Sequence, residues 1–233
     1  VLGEYQSYKS PKLSAYANTI ALSLSEVSSR PHLPYKVVLL DSDEVNAFGG
    51  PGGYIYMTRG MLNFIESEAE LAGILAHEIV HIANYEYADK DGGKSKMQYM
   101  YEGLLKGTEL GRDAIGSYGT AAYYGVKYGG KGVQRLIKRF DKDTVLDADD
   151  IMVKQLMEVG YDPRGYGNFM DRLATIPMED VNRFVLFLNT RPPFEDRREK
   201  YGQMMRGLDL HSGKVEFKKD VLSEVRQVTI NSQ

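Results

Sequence analysis

The residues of this chain best suited to chemistry lie in one five-residue run, His77-Glu78-Ile79-Val80-His81. On an α-helix, positions four apart share a face, about 6 Å along the axis. Both imidazoles can then reach one zinc ion at about 2.0–2.1 Å. Glu78 is turned about 100° from His77, beside such an ion. There it can take a proton from a water whose pKa the ion lowers towards ~7, and later return that proton to a leaving amine. The chemistry indicated is zinc-assisted hydrolysis, with Glu78 as general base. The chain has no cysteine, so thiolate ligation is excluded and the metal must be held by histidine and carboxylate. His32, flanked by prolines, and His211, near the C-terminus, read as solvated side chains.

A catalytic zinc normally takes three protein ligands and a water. The pattern of 144–159 predicts a second helix able to supply the third. On a 100° wheel, Val145, Leu146, Ala148, Met152, Val153, Leu156 and Val159 form its apolar face. Asp147, Asp150, Lys154 and Glu158 form the polar one, and Asp149 falls in the middle of the apolar face. A buried carboxylate needs a partner. The second ring N–H of a metal-bound histidine is one such partner. Backbone amides or an arginine, in a purely structural role, are the alternative.

The elements that must carry these residues can be read along the chain. An amphipathic helix spans 11–29, through Leu13, Tyr16, Ala17, Ile20, Leu24 and Val27. Strands are expected at Tyr35–Leu40 and Tyr54–Thr58, the second broken by Gly60. Ser67 and Glu70 form a capping box that opens a helix running through the zinc motif to about Tyr87. Asp143 or Thr144 caps the second helix, and further helices are expected from Asp162-Pro163 to about Ala174, near 179–189 and over 194–206. The Tyr- and Gly-rich stretch 107–130 suits a lid, a connector or a partner-binding surface. The expected fold is α+β and mostly helical, one domain over 1–233. Its core covers about 10–206, with a small N-terminal sheet and a tail, 207–233, holding one strand.

Composition narrows the function. At 42 % apolar, 26 % charged and net −3, the chain is an ordinary globular protein with no nucleic-acid footprint. No run approaches the roughly 18 apolar residues of a membrane span, so membrane association is expected only through a leader or lipid anchor outside these residues.

Several ordered segments surround the motif: Asn46-Ala47-Phe48 with Pro51-Gly52-Gly53-Tyr54-Ile55-Tyr56; Arg59-Gly60-Met61-Leu62; Glu68-Ala69-Glu70-Leu71-Ala72-Gly73; Ala148-Asp149; Gly160-Tyr161-Asp162-Pro163; and Asn189-Thr190-Arg191-Pro192-Pro193 before Arg197. With these, the chain resembles the HtpX / CaaX-prenyl-protease group of zinc metallopeptidases, most of all its soluble bacterial envelope members. The resemblance implies a gluzincin fold, a polypeptide substrate and a periplasmic or envelope location. It implies that Asp149 supports a zinc-bound histidine, and that Asn46, Ala47, Phe48, Gly49 and Gly50 belong to an edge strand that binds extended substrate. Where the group carries its third ligand, a glutamate, this chain has Val145. It has Val80 in place of a glycine. It has Arg191 in place of the histidine that steadies the oxyanion, a task an arginine can also perform. Three arrangements follow from Val145: Asp149 bonds zinc directly, a carboxylate such as Glu102 or Glu109 does so, or the chain is a non-catalytic relative that holds client proteins.

Overall fold

Strands form where the sequence concentrates β-branched and aromatic residues. The computed structural model describes residues 6–84, 142–176, 194–208 and 222. Its strands are β1 (Gln6–Ser7), β2 (Lys36–Asp41), β3 (Ala47–Gly49) and β4 (Tyr54–Thr58), hydrogen-bonded in the order β1-β2-β4-β3. β2 and β4 are parallel, with Val37 opposite Ile55. β3 returns antiparallel to β4, with Phe48 opposite Tyr56. The stretch 46–50 holds the short strand β3, and Tyr54–Thr58 forms β4 as a separate strand, as the sequence suggests. Only β3 is at the edge, and β4 is internal. The reversal between them uses Gly52 and Gly53 at φ 79° and 90°, the left-handed region that side chains disfavour.

The sheet is apolar on both faces. Val37, Leu39, Ile55 and Met57 join the main core, while Leu40, Phe48 and Tyr56 form a second cluster on the other side. The rings of Phe48 and Tyr56 stack there, 5.2 Å apart.

Gly60 does not break β4 as its residue type suggests. β4 ends at Thr58, whose Oγ1 accepts from Met61 N at 3.2 Å and so caps a short helix, α2 (Arg59–Phe64). Gly60 lies inside α2 because a Cβ there would sit 2.2 Å from Asp43 O.

The main core is built around α3 (Glu68–Ala83), which packs against α1 (Pro11–Glu26), α4 (Lys142–Val159), α5 (Arg164–Ala174) and β3. Of its sixteen residues all but Ala69 are buried. A helix surrounded on every side must be apolar all round, and 71–76 and 79–80 meet that demand. α3 starts as the sequence suggests: Ser67 Oγ accepts from Glu70 N at 3.2 Å. Glu70 reaches back to Glu66 N at 2.8 Å, and Arg172 on α5 clamps the same carboxylate. α3 ends at Ala83, before the expected Tyr87, and Tyr87 itself lies outside the described residues. α4 begins at Lys142, so Asp143 and Thr144 belong to its first turn rather than to its cap. The last described helix is α6 (Phe194–Gly207). The expected helix 179–189, the strand 225–230 and the stretch 107–130 lie outside the described residues. Leu222, in the stretch read as a tail, is buried in the main core.

Asn18 ties α1 to the sheet where β1 has run out. Its Nδ2 donates to Val37 O at 3.0 Å, and its Oδ1 accepts from Val37 N at 2.9 Å, as a neighbouring strand would. Asn18→Leu leaves both backbone groups of Val37 without that partner. Each such group costs about 1–3 kcal/mol, so urea unfolding is expected to show a loss of at least about 1 kcal/mol with an unchanged m-value.

Candidate functional site

The C-terminal half of α3 brings His77, Glu78 and His81 together, each with no solvent exposure. The two Nε2 atoms are 2.9 Å apart, and the rings meet edge to face at 89°. One ion bonded to each at about 2.0–2.1 Å can span up to about 4 Å between them, so the pair fits zinc as two of its ligands.

Glu78 reaches the sheet, where its Oε2 accepts from Gly49 N at 2.8 Å. The strand register explains that contact. Thr58 N bonds to Asn46 O and Gly50 N to Tyr54 O, so residues 46, 48 and 50 turn their backbone groups to β4. Ala47 and Gly49 turn theirs the other way, where Glu78 stands.

Asp149 on α4 is buried on the apolar face, at 1 % exposure, between the buried Ala148 and Met152. Asp147 is exposed on the opposite side. Asp149 Oδ1 lies 3.0 Å from His77 Nδ1. Arg197 on α6 meets the same carboxylate with a two-pronged fork, Nε to Oδ2 at 2.6 Å and Nη2 to Oδ1 at 2.6 Å. The alternatives left open by the sequence, a histidine partner or an arginine partner, thus both occur. Nη2 also donates to Tyr166 Oη at 2.6 Å, which uses its second proton. The same atom is 3.2 Å from both Nδ1 and Nε2 of His77. A nitrogen so placed in the ring plane would collide with Cε1, so it lies over the face of the imidazole and makes no hydrogen bond to it. Burial lowers the guanidinium pKa, but Asp149 and Tyr166 outweigh it and the net shift is upward. Arg197 is a permanent cation here.

Among the described residues, no group of three His, Asp or Glu side chains that could hold a metal ion is assembled. Val145 stands one helical turn before Asp149 and carries no donor atom. Arg191, Glu102 and Glu109 lie outside the described residues. His32 is exposed and takes no part.

Peptidase family M48 matches residues 11–203, a span containing every element from α1 to nearly the end of α6. The chain belongs to peptidase family M48. It is 29 % identical over 184 residues to a β-barrel assembly-enhancing protease of Yersinia pestis, and 27 % identical over the same length to that of Escherichia coli K12. Each alignment covers 78 % of this chain and 35 % of the relative, so the chain spans about a third of their length. A protease HtpX homolog of Aquifex aeolicus is 39 % identical over 66 residues, 26 % of this chain and 22 % of that protein.

In this M48 chain, the arginine beside the histidine pair was visible in sequence only as the last member of an ordered motif set. A wheel over 194–207 would have set it apart, since Arg197 and the buried Tyr201 are four residues apart on one face. Tyr166 carried no such signal. It reaches Arg197 because α3 and α5 cross closely at two glycines. A Cβ on Gly73 would lie 2.7 Å from Tyr166 Cβ, and one on Gly165 would lie 2.6 Å from Ala69 Cβ. Neither neighbour is the free end of a flexible chain. Gly73→Ala is therefore expected to destabilise the fold by about 1–3 kcal/mol through overpacking, despite the better helix propensity of alanine. Thermal unfolding of the purified variant reads this directly.

A second buried node fixes the start of α3. Glu68 accepts from Tyr16 Oη at 2.6 Å and from Tyr161 Oη at 2.8 Å, joining α1, α3 and the turn before α5. Burial, with the Glu68 carboxylate, pushes the Tyr161 hydroxyl well above its usual pKa.

Proposed function

We propose that this M48 chain is a zinc-dependent endopeptidase of gluzincin type, acting on extended or misfolded polypeptides in the bacterial envelope. The observation that carries the reading is the place of Glu78, between the outward backbone of β3 and the His77/His81 pair. A peptide added to β3 as a further strand would bond to the backbone groups of Ala47 and run towards Gly49 and Glu78. Asn46, whose Oδ1 has no hydrogen-bond partner among the described residues, offers one more acceptor beside that strand. Recognition through backbone groups demands an extended chain and is loose in side-chain preference. His77 and His81 would hold the zinc, which supplies Lewis acidity for the carbonyl and for water when bound. Glu78 takes the water's proton and passes it to the leaving amine. Asp149 holds the Nδ1 proton of His77, leaving Nε2 as the donor atom. Its oxygens face Arg197 and His77, which favours a carboxylate such as Glu102 or Glu109, rather than Asp149, as third ligand. Arg191 is assigned to the developing oxyanion.

A second reading is supported by Val145: a relative without full zinc ligation that uses the β3 edge to hold client chains. The two separate in a casein assay. Cleavage that is lost on chelation and restored by added zinc supports the endopeptidase. Casein bound but left intact at saturating zinc overturns it.

The envelope location draws support from the two relatives named for β-barrel assembly. No described helix is long and apolar enough to cross a membrane.

A further inference from the structure

We infer that Arg197 is a positioning residue that fixes the orientation of the His77 ring, acting through Asp149 and through the ring face. The inference rests on the reading of His77 as a zinc ligand. A carboxylate held at one oxygen can swing about its Cβ–Cγ bond and about the hydrogen bond it makes. Arg197 removes that freedom by gripping both oxygens at 2.6 Å, which sets the carboxylate plane so that Oδ1 meets His77 Nδ1 at 3.0 Å. The same Nη2 lies against the imidazole face, so the ring cannot tilt towards α6. Arg197 is itself fixed by Tyr166, whose ring stands 6.0 Å from that of His77 at 22°. α4, α5 and α6 thus each contribute one side chain to the aim of a single imidazole on α3. The arrangement uses the planar fork of arginine, which a lysine cannot reproduce even though it keeps the charge. It also fixes the tautomer. With Nδ1–H donated to Asp149, Nε2 of His77 keeps its lone pair for a ligand, and it faces Nε2 of His81 at 2.9 Å.

The test is long-range ¹⁵N–¹H spectroscopy of the histidines in the zinc-free protein, together with zinc affinity by chelator competition. It compares wild type with Arg197→Lys and with the pair Asp149→Asn/Arg197→Gln. The pair leaves no buried charge unbalanced, so it tests positioning where Arg197→Gln alone could fail to fold. Wild type is expected to show His77 as a single Nδ1–H tautomer. Both variants are expected to show mixed or exchange-broadened His77 signals and zinc affinity weaker by about 10–100-fold, the usual effect of losing an outer partner of a ligand. Arg197→Lys with the wild-type His77 spectrum and unchanged affinity would mean that only a counter-charge is needed, and would overturn the proposal. So would a mixed tautomer in the wild type, or a wild-type spectrum in the pair. The spectra need no zinc, so a wild type that binds none defeats the endopeptidase reading while the orientation of His77 is still decided.

Discussion

Glu78→Gln is expected to lower casein cleavage by about 10²–10⁴-fold, the usual contribution of a positioned general base, with zinc content unchanged. The substitution preserves shape, and the amide oxygen can still accept from Gly49 N–H, so the contact at 2.8 Å survives. What is lost is the ability to accept a proton. The fold should not suffer, since the neutral side chain is easier to bury than the carboxylate it replaces. The check is the initial rate of cleavage beside the thermal midpoint of the same preparation. A rate within about tenfold of wild type would remove Glu78 from the base role and leave only its bond to the β3 backbone.

Val145→Glu tests whether zinc lacks a donor on α4: where no carboxylate from elsewhere in the chain completes the site, it raises zinc affinity by more than the roughly 10–100-fold that an outer partner of a ligand contributes, and raises cleavage with it. Position 145 precedes Asp149 by one helical turn, so the two share a face of α4. Asp149 turns that face towards His77. The fork of Arg197 is committed to Asp149, so a carboxylate at position 145 does not compete for it. Chelator competition gives the affinity, and the same protein gives the rate. If neither rises, position 145 is not where zinc lacks a donor, and the third bond comes from elsewhere in the chain.

The contrast between these two positions shows what the sequence could convey. The histidine pair and its glutamate were legible because four-residue spacing has one meaning on a helix, and Ser67 announced the start of that helix. Asp149 was legible because a carboxylate on an apolar face contradicts its surroundings. Its choice of partner was not, because His77 and Arg197 are 72 and 48 residues away along the chain, and no local pattern encodes such contacts. The sheet shows the same limit. β2 and β4 were found from residue type, but their parallel pairing places β3 at the edge and β4 inside, and that order depends on the crossover rather than on either strand. Gly60 misled because close approach to Asp43 and the breaking of a strand call for the same residue. The bond from Gly49 N to Glu78 was hidden entirely, since it depends on which backbone groups the β3–β4 register turns outward.

The most direct test of the whole reading is the zinc content of the wild-type protein, measured by elemental analysis after incubation with excess zinc and desalting. One zinc per chain is the result expected from His77, His81 and a third donor. No retained zinc would contradict the endopeptidase and leave the β3 edge as a site for holding chains that the protein does not cut.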